Sequence, residues 1–201
     1  MKRRGIFGGT FDPFHNGHLS LAKAAAEELG LDEVILLPNR VQPFKTDRSA
    51  AAAGDRLAMV NLVAREERIF KVSTEEIFGD EISYTYKTLC RIREKTGGER
   101  LWFIMGADSL ITLRFWYKGE DLLREFSFAA GLRPGSSIDM RKVEELRRDY
   151  GADIHLMKNP VLDISSTEIK DRIRRGDDIS GLVPACVKDY IDEHGLYRQE
   201  N

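Results

Sequence analysis

Six short apolar runs alternate with helix-patterned segments along nearly the whole chain, and this alternation limits the fold more than any single motif does. Residues 5–7, 33–37, 69–72, 101–105, 126–130 and 153–157 have strand character. Between them, residues 17–29, 55–65, 84–95, 119–124 and 140–150 carry apolar positions at helical spacing. Repeated strand–helix units predict a Rossmann-like, doubly wound α/β fold, with a mainly parallel sheet and helices on both faces. The tail from 164 to 197 reads as two more helices, bounded by Pro184 and Gly195. No repeat, low-complexity tract or linker divides the 201 residues, so a single domain spanning 1–201 is expected, its C-terminal helical segment (about 164–198) included.

Charge narrows the function classes. Lys+Arg number 31 against 33 Asp+Glu, a net charge of −2, which argues against a general nucleic-acid or membrane surface. Met1-Lys2-Arg3-Arg4 has the basic start of a signal peptide but no apolar stretch behind it, and no apolar run approaches membrane-spanning length. Cys90 and Cys186 are too far apart in sequence to suggest a disulfide framework, which fits a reducing compartment. A soluble, cytoplasmic protein with no nucleic-acid or membrane partner is the expectation.

The first strand runs into Gly8-Gly9-Thr10-Phe11-Asp12-Pro13-Phe14-His15-Asn16-Gly17-His18, and a helix pattern follows at once. Glycines allow close backbone approach, Thr10 supplies a hydroxyl, and two imidazoles stand three residues apart. At a strand-to-helix junction, unpaired N–H groups and the helix dipole favour an anion. Taken singly, Gly8-Gly9 and Asp12-Pro13 are also ordinary turn chemistry, and two histidines at this spacing could be surface residues or half of a metal site. A structural zinc site would want further close ligands, whereas the cysteines and His155 and His194 are remote in sequence. In a sheet of this kind, ligands sit beyond the carboxyl ends of the strands, and the segments 8–18, 38–45 and 106–108 all follow strand ends.

Two segments near opposite ends of the chain carry a family resemblance. The stretch 8–18 resembles the T/HxGH signature of the nucleotidylyltransferase superfamily, and Ile164-Ser165-Ser166-Thr167-Glu168-Ile169-Lys170 resembles its ISSTxIR signature. Ser83-Tyr84-Thr85, the Gly106/Asp108 block followed by Trp116, Arg133-Pro134-Gly135 and Gly195-Leu196-Tyr197-Arg198 narrow the resemblance to bacterial nicotinate-nucleotide adenylyltransferases. It covers essentially the full length. Such enzymes transfer AMP from ATP to the phosphate of nicotinate mononucleotide, giving deamido-NAD and pyrophosphate, in NAD biosynthesis.

The resemblance implies roles residue by residue. Gly8, Gly9, Thr10, Phe11, His15, His18, Gly106, Asp108, Ser165, Ser166, Thr167 and Lys170 are expected to bind ATP. His15, His18 and Lys45 are expected to be catalytic, and Asp108 to position the ribose. Ser83, Tyr84, Thr85, Trp116 and Arg133 are expected to bind the mononucleotide, with Trp116 stacking on its pyridine ring. Mg²⁺ is expected to arrive with the ATP phosphates, without a dedicated protein metal site; a homo-oligomer is compatible with this reading. The attacking phosphate monoester has a second pKa near ~6 and is already mostly dianionic at neutral pH. Direct in-line transfer therefore needs neither protein base nor covalent intermediate; it needs aligned anions and charge-stabilising donors.

Some residues admit a second role or depart from the pattern. Ser165-Ser166-Thr167 before Glu168 is also a helix N-cap region. Asp12 and Pro13 read more readily as turn formers than as catalytic groups. Phe44 stands where the family has histidine, and Lys170 where it has arginine, which keeps the charge and loses bidentate geometry. The rival readings are a nucleotidylyltransferase with another acceptor, such as nicotinamide mononucleotide, phosphopantetheine or glycerol phosphate, and a nucleotide-binding regulator without turnover.

Overall fold

A computed structural model describes residues 2–40, 50–78, 83–132, 138–158 and 162–198. Its six strands are β1 (Arg4–Gly9), β2 (Glu33–Pro38), β3 (Phe70–Val72), β4 (Leu101–Gly106), β5 (Ser127–Gly131) and β6 (Asp153–Leu156). They form one sheet in the order β3-β2-β1-β4-β5-β6, and every pairing is parallel. The helices are α1 (Asn16–Leu29), α2 (Ala53–Glu66), α3 (Thr85–Lys95), α4 (Ala107–Leu110), α5 (Gly119–Glu125), α6 (Met140–Tyr150), α7 (Ser166–Arg175) and α8 (Ala185–His194). Strand and helix positions agree with the sequence reading to within a few residues. The short α4 and the 3₁₀ turn Leu113–Phe115 were not anticipated, because one turn of helix shows no periodicity to read.

Strand side chains alternate between two cores. On one face Phe7, Val34, Leu36 and Ile104 pack against Ala22 and Ala25 of α1, Met59 and Val63 of α2, Ile169 of α7 and Ile191 of α8. On the other, Ile6, Phe103, Met105 and Phe128 pack against Leu89 of α3, Leu122 of α5 and Val143 of α6. The chain leaves β1 toward β2 and returns through β4 on its other side, so the strand order reverses between β1 and β4. In sheets of this kind ligands bind in the crevice at the carboxyl ends of the two strands where the order reverses.

One packing constraint stands out beside this crevice. The start of α5 lies so close to the preceding 3₁₀ turn that a Cβ at Gly119 would fall 2.2 Å from the Leu113 carbonyl oxygen. The Gly119 N–H also donates to the Trp116 carbonyl at 2.8 Å. Backbone on both sides leaves no flexible neighbour to yield. Gly119→Ala is therefore expected to destabilise the fold by about 3 kcal/mol or more; chemical denaturation measures this, and a loss below about 1 kcal/mol would contradict the packing described.

Candidate active site

The carboxyl end of β1 turns through Thr10–Phe14 directly into α1. His15 is the N-cap of that helix and His18 its third residue. The His18 N–H donates to His15 Nδ1 at 3.3 Å, and the His15 N–H donates to His18 Nδ1 at 3.2 Å. This is a capping box in which two imidazoles replace the usual hydroxyl and carboxylate. The rings stack with centroids 3.5 Å apart and planes 19° from parallel. Because each Nδ1 accepts a backbone N–H, the proton of each ring sits on Nε2. The pair is thus two neutral N–H donors at a helix N-terminus, a setting that favours an anion. Among the described residues no group of three or more His, Cys, Asp or Glu could hold a metal ion. Gly17 is glycine for a local reason: a Cβ there would lie 3.0 Å from His15 Nδ1 and 3.1 Å from the Leu162 carbonyl oxygen.

The Phe11 side chain is 1% exposed and the residue is held at φ +50°, with its ring packed against Phe7, Phe14 and edge-on to His18 at 5.1 Å. A ring so placed braces the imidazole from behind. Phe7 and Phe14 flank the same imidazole at 5.8 and 5.4 Å.

Lys170 is buried and donates to Asp12 Oδ2 at 3.1 Å, both side chains being less than a tenth exposed. Asp12 Oδ1 accepts from the Tyr197 hydroxyl at 2.8 Å and from the Ala51 N–H at 2.9 Å. Burial, reinforced by the Asp12 charge, pushes the Tyr197 hydroxyl's pKa far up, so it stays a donor. Next to this cluster, buried Arg56 uses Nη1 to donate to the Thr10 carbonyl at 2.6 Å and to the Asn39 carbonyl at 2.7 Å. Burial lowers the pKa of its guanidinium, against an opposing pull from Asp12. Asp12 as a structural residue agrees with its reading as a turn former; Arg56 was not read from sequence. A signal existed, since Arg56 lies at helical spacing from the buried Met59, Val60 and Val63.

Two cavities open at the carboxyl edge. One, of about 350 Å³, lies on the α1/α7 side of the sheet and is lined by His15, His18, Gly106, Asp108, Ser165 and Ser166, among others. The other, of about 360 Å³, lies on the α3 side and is lined by Gly8, Ser83, Tyr84, Thr85 and Trp116, together with Tyr117 and Glu76. Six of the twelve residues expected to bind ATP thus line the first pocket, and four of the five expected to bind the mononucleotide line the second. Gly8 lines the second pocket, and Gly9, Thr10, Phe11, Thr167 and Lys170 line neither. Ser165 caps α7, its Oγ accepting from the Glu168 N–H at 3.2 Å, while Ser166 Oγ donates to the Pro13 carbonyl at 3.4 Å. In the second pocket Tyr84, the N-cap of α3, makes no side-chain capping bond, so the first N–H groups of α3 point outward from an uncapped end. Trp116 Nε1 donates to Thr112 Oγ1 at 3.3 Å, which orients the indole. Lys45, Phe44 and Arg133 lie outside the described residues.

Glu76 was also not read from sequence, where it is one acid in a loop. It is 7% exposed, and Thr88 Oγ1 donates to its Oε1 at 2.5 Å. Burial raises its pKa, while the Thr88 hydroxyl and the Arg91 charge pull it back.

Comparison with known proteins places the chain in context. Residues 6–172 match the family described as cytidylyltransferase-like. A Neisseria meningitidis serogroup B protein named "Probable nicotinate-nucleotide adenylyltransferase" is 40% identical over 99% of this chain and 100% of its own length. A Clostridium novyi protein of the same name is 38% identical over 98% of this chain and 100% of its own. A solved structure of the Plasmodium falciparum nicotinic acid mononucleotide adenylyltransferase complexed with NaAD superposes with a TM-score of 0.79 at 22% identity, covering 98% of both chains. That likeness shows the shared fold.

The Lys170 placement can be tested. Lys170→Met leaves Asp12 buried without its ammonium and is expected to cost about 3–5 kcal/mol in urea unfolding. Its KM for ATP, measured well below the melting temperature, is expected to stay within about threefold of the parent, because the ammonium faces Asp12. A large rise in that KM with stability unchanged would place Lys170 on the phosphate side.

Proposed function

The chain belongs to the nicotinate-nucleotide adenylyltransferases of the cytidylyltransferase-like family, and from this premise we propose that it transfers AMP from ATP to the phosphate of nicotinate mononucleotide, forming deamido-NAD and pyrophosphate. The observation that carries the reading is the pair of cavities flanking the β1 end, one lined by six of the residues expected to bind ATP and the other by four of those expected to bind the mononucleotide. ATP belongs on the α1/α7 side, its triphosphate against the Nε2–H donors of His15 and His18 and the hydroxyl and backbone donors at the start of α7. Asp108, in the first turn of α4, is proposed to bind the ribose hydroxyls. Lys45 is proposed to bind the triphosphate, as the family resemblance implies.

The mononucleotide belongs on the α3 side. Its nicotinate carboxylate is matched by the hydroxyls and backbone of Ser83-Tyr84-Thr85 together with the uncapped N–H groups that open α3 at Thr85, and its ring by the face of Trp116. Such a donor set distinguishes a carboxylate from a neutral amide without a formal positive charge. Arg133 is proposed to contact the mononucleotide phosphate.

The step itself is in-line attack of a phosphate oxygen on the α-phosphorus: the new P–O bond forms as the bond to pyrophosphate breaks, and no enzyme-bound intermediate is needed. The neutral imidazole donors suit this chemistry, because the nucleophile is already ionised and the demand is for stabilisation of developing charge. Mg²⁺ is proposed to enter as part of the ATP substrate, neutralising triphosphate charge. The protein groups at the cavity are mostly N–H and O–H donors, which fits an ion carried by the substrate. A cytoplasmic location belongs to this reading and is supported by two free, separated cysteines; no helix among the described residues is long and apolar enough to cross a membrane.

Pyrophosphate release from ATP, measured with nicotinate mononucleotide, nicotinamide mononucleotide and phosphopantetheine in parallel, tests the assignment. Nicotinate mononucleotide is expected to be used best; if it is no better than the others, the acceptor is wrong. His18→Ala is expected to lower kcat by roughly 10²–10³, the scale of losing one charge-stabilising donor. Trp116→Ala is expected to raise KM for the mononucleotide and leave KM for ATP nearly unchanged. Equal damage to both constants would assign Trp116 to folding.

A further inference from the structure

The α3-side cavity carries a charge of unexpected sign. Its proposed ligand is an anion, bearing a phosphate and a carboxylate, yet among the described lining residues there is no lysine, arginine or histidine, and there is one acid, Glu76. That acid is buried, and no described lysine or arginine forms an ion pair with it. Its hydrogen-bond support is the Thr88 hydroxyl at 2.5 Å, with the Ser83 hydroxyl as a further source. Arg91, exposed on α3, acts on Glu76 from beyond the Thr88 hydroxyl, to which its Nη2 donates at 3.4 Å. Burying a carboxylate that lacks a cationic partner is costly, and a neutral glutamine would fill the same space and accept the same hydroxyl.

The chemistry of the ligand supplies a reason for the charge. In a pyridine mononucleotide the ring nitrogen is bonded to the ribose, so the aromatic ring is a permanent cation whatever the state of its carboxylate. The same cavity also holds Trp116, whose indole face attracts a cation; Tyr84 and Tyr117, their rings tilted against each other at 4.4 Å, line it too but already carry the Lys87 ammonium at 5.6 and 5.7 Å. An aromatic face and a buried carboxylate in one pocket both match a flat cationic ring.

We propose that Glu76 is the counter-charge of the acceptor's pyridinium ring, and so a specificity-determining residue that selects N-glycosylated pyridines over nucleotides with a neutral ring. The inference rests on the acceptor assignment made above. The nicotinate carboxylate and the ring are then recognised separately, the first by the N–H groups at the start of α3 and the second by Glu76 and Trp116. Burial by itself favours the neutral acid; a ring cation alongside favours the carboxylate, so ligand and side chain stabilise each other's charge.

The test uses the full-length protein and two acceptors: nicotinate mononucleotide, and its 1,4-dihydro form, which keeps the ribose, phosphate and carboxylate but has a neutral ring. Pyrophosphate release gives kcat/KM for each. The parent protein is expected to prefer the cationic ring by roughly tenfold or more, the scale of one charge pair in a partly screened site. Glu76→Gln is expected to remove most of that preference, through loss on the cationic acceptor alone, with KM for ATP unchanged. Thr88→Val, which removes the hydrogen bond and keeps the carboxylate, is expected to retain the preference. Equal loss on both acceptors in Glu76→Gln, or collapse of the preference in Thr88→Val, would make Glu76 a support for α3 and overturn the proposal. So would a parent protein that treats both rings alike, an outcome that needs no variant to fold. Failure of the parent to use nicotinate mononucleotide at all would instead remove the acceptor assignment itself.

Discussion

A single buried carboxylate holds the phosphate cradle in shape. Asp12 lies in the turn between β1 and α1 and receives three donors from distant parts of the chain: the Lys170 ammonium from α7, the Tyr197 hydroxyl beyond α8, and the Ala51 N–H just before α2. Removing such a charge from water is expensive, and only a full set of donors makes it tolerable. That requirement obliges the C-terminal segment to close against the cradle. Arg56 extends the same logic to the neighbouring strand, joining the last carbonyls of the β1 and β2 ends through one nitrogen. The loop that presents His15 and His18 is therefore fixed from behind by charges that need never meet the nucleotide.

With the cradle fixed, the sheet divides the remaining task. Successive residues at the end of β1 face opposite ways, so Phe7 lines the α1/α7-side cavity and Gly8 the α3-side cavity. On the proposed reading, two anions that repel each other approach from opposite faces and meet at the one place where the strand order reverses. Parallel strands deliver all the loops involved to the same edge, and this makes a direct transfer geometrically natural. No covalent relay across the sheet is required.

The alternation of apolar runs and helical spacing made the sheet, its parallel character and the placement of the long helices legible from sequence, because period and burial are local properties. The grouping of His15, His18, Asp108, Ser165 and Ser166 at one cavity and Ser83–Thr85 and Trp116 at the other was legible only through a family resemblance. The side chains of Phe11 and Lys170 add what that resemblance does not contain. Membership of a motif does not say which side of the backbone a residue occupies, and both side chains turn inward to support the loop. Glu76 and Arg56 mark the opposite case, buried charges with no motif around them. Their meaning depends on partners 12 to 46 residues away, which no local pattern displays.

The distribution of charge around the site follows a common rule. The described walls of the ATP-side cavity carry no lysine or arginine; Lys170 and Arg56 stand behind the cradle, bound to Asp12 and to backbone carbonyls. The described lining instead offers dipoles and one acid: two imidazoles, serine hydroxyls, the start of α7 and the Asp108 carboxylate. Fixed dipoles need little reorganisation as charge moves from the α-phosphoryl group to pyrophosphate, and they hold an anionic product less tightly than a buried cation would. If the mobile positive charge arrives with the triphosphate as Mg²⁺, as proposed, it can leave with pyrophosphate, so that Lys45 is the one permanent cation in the proposed ATP site from which the product must part. The α3-side cavity then inverts this arrangement coherently. Its ligand brings a cation in the ring, and the protein supplies the single anion.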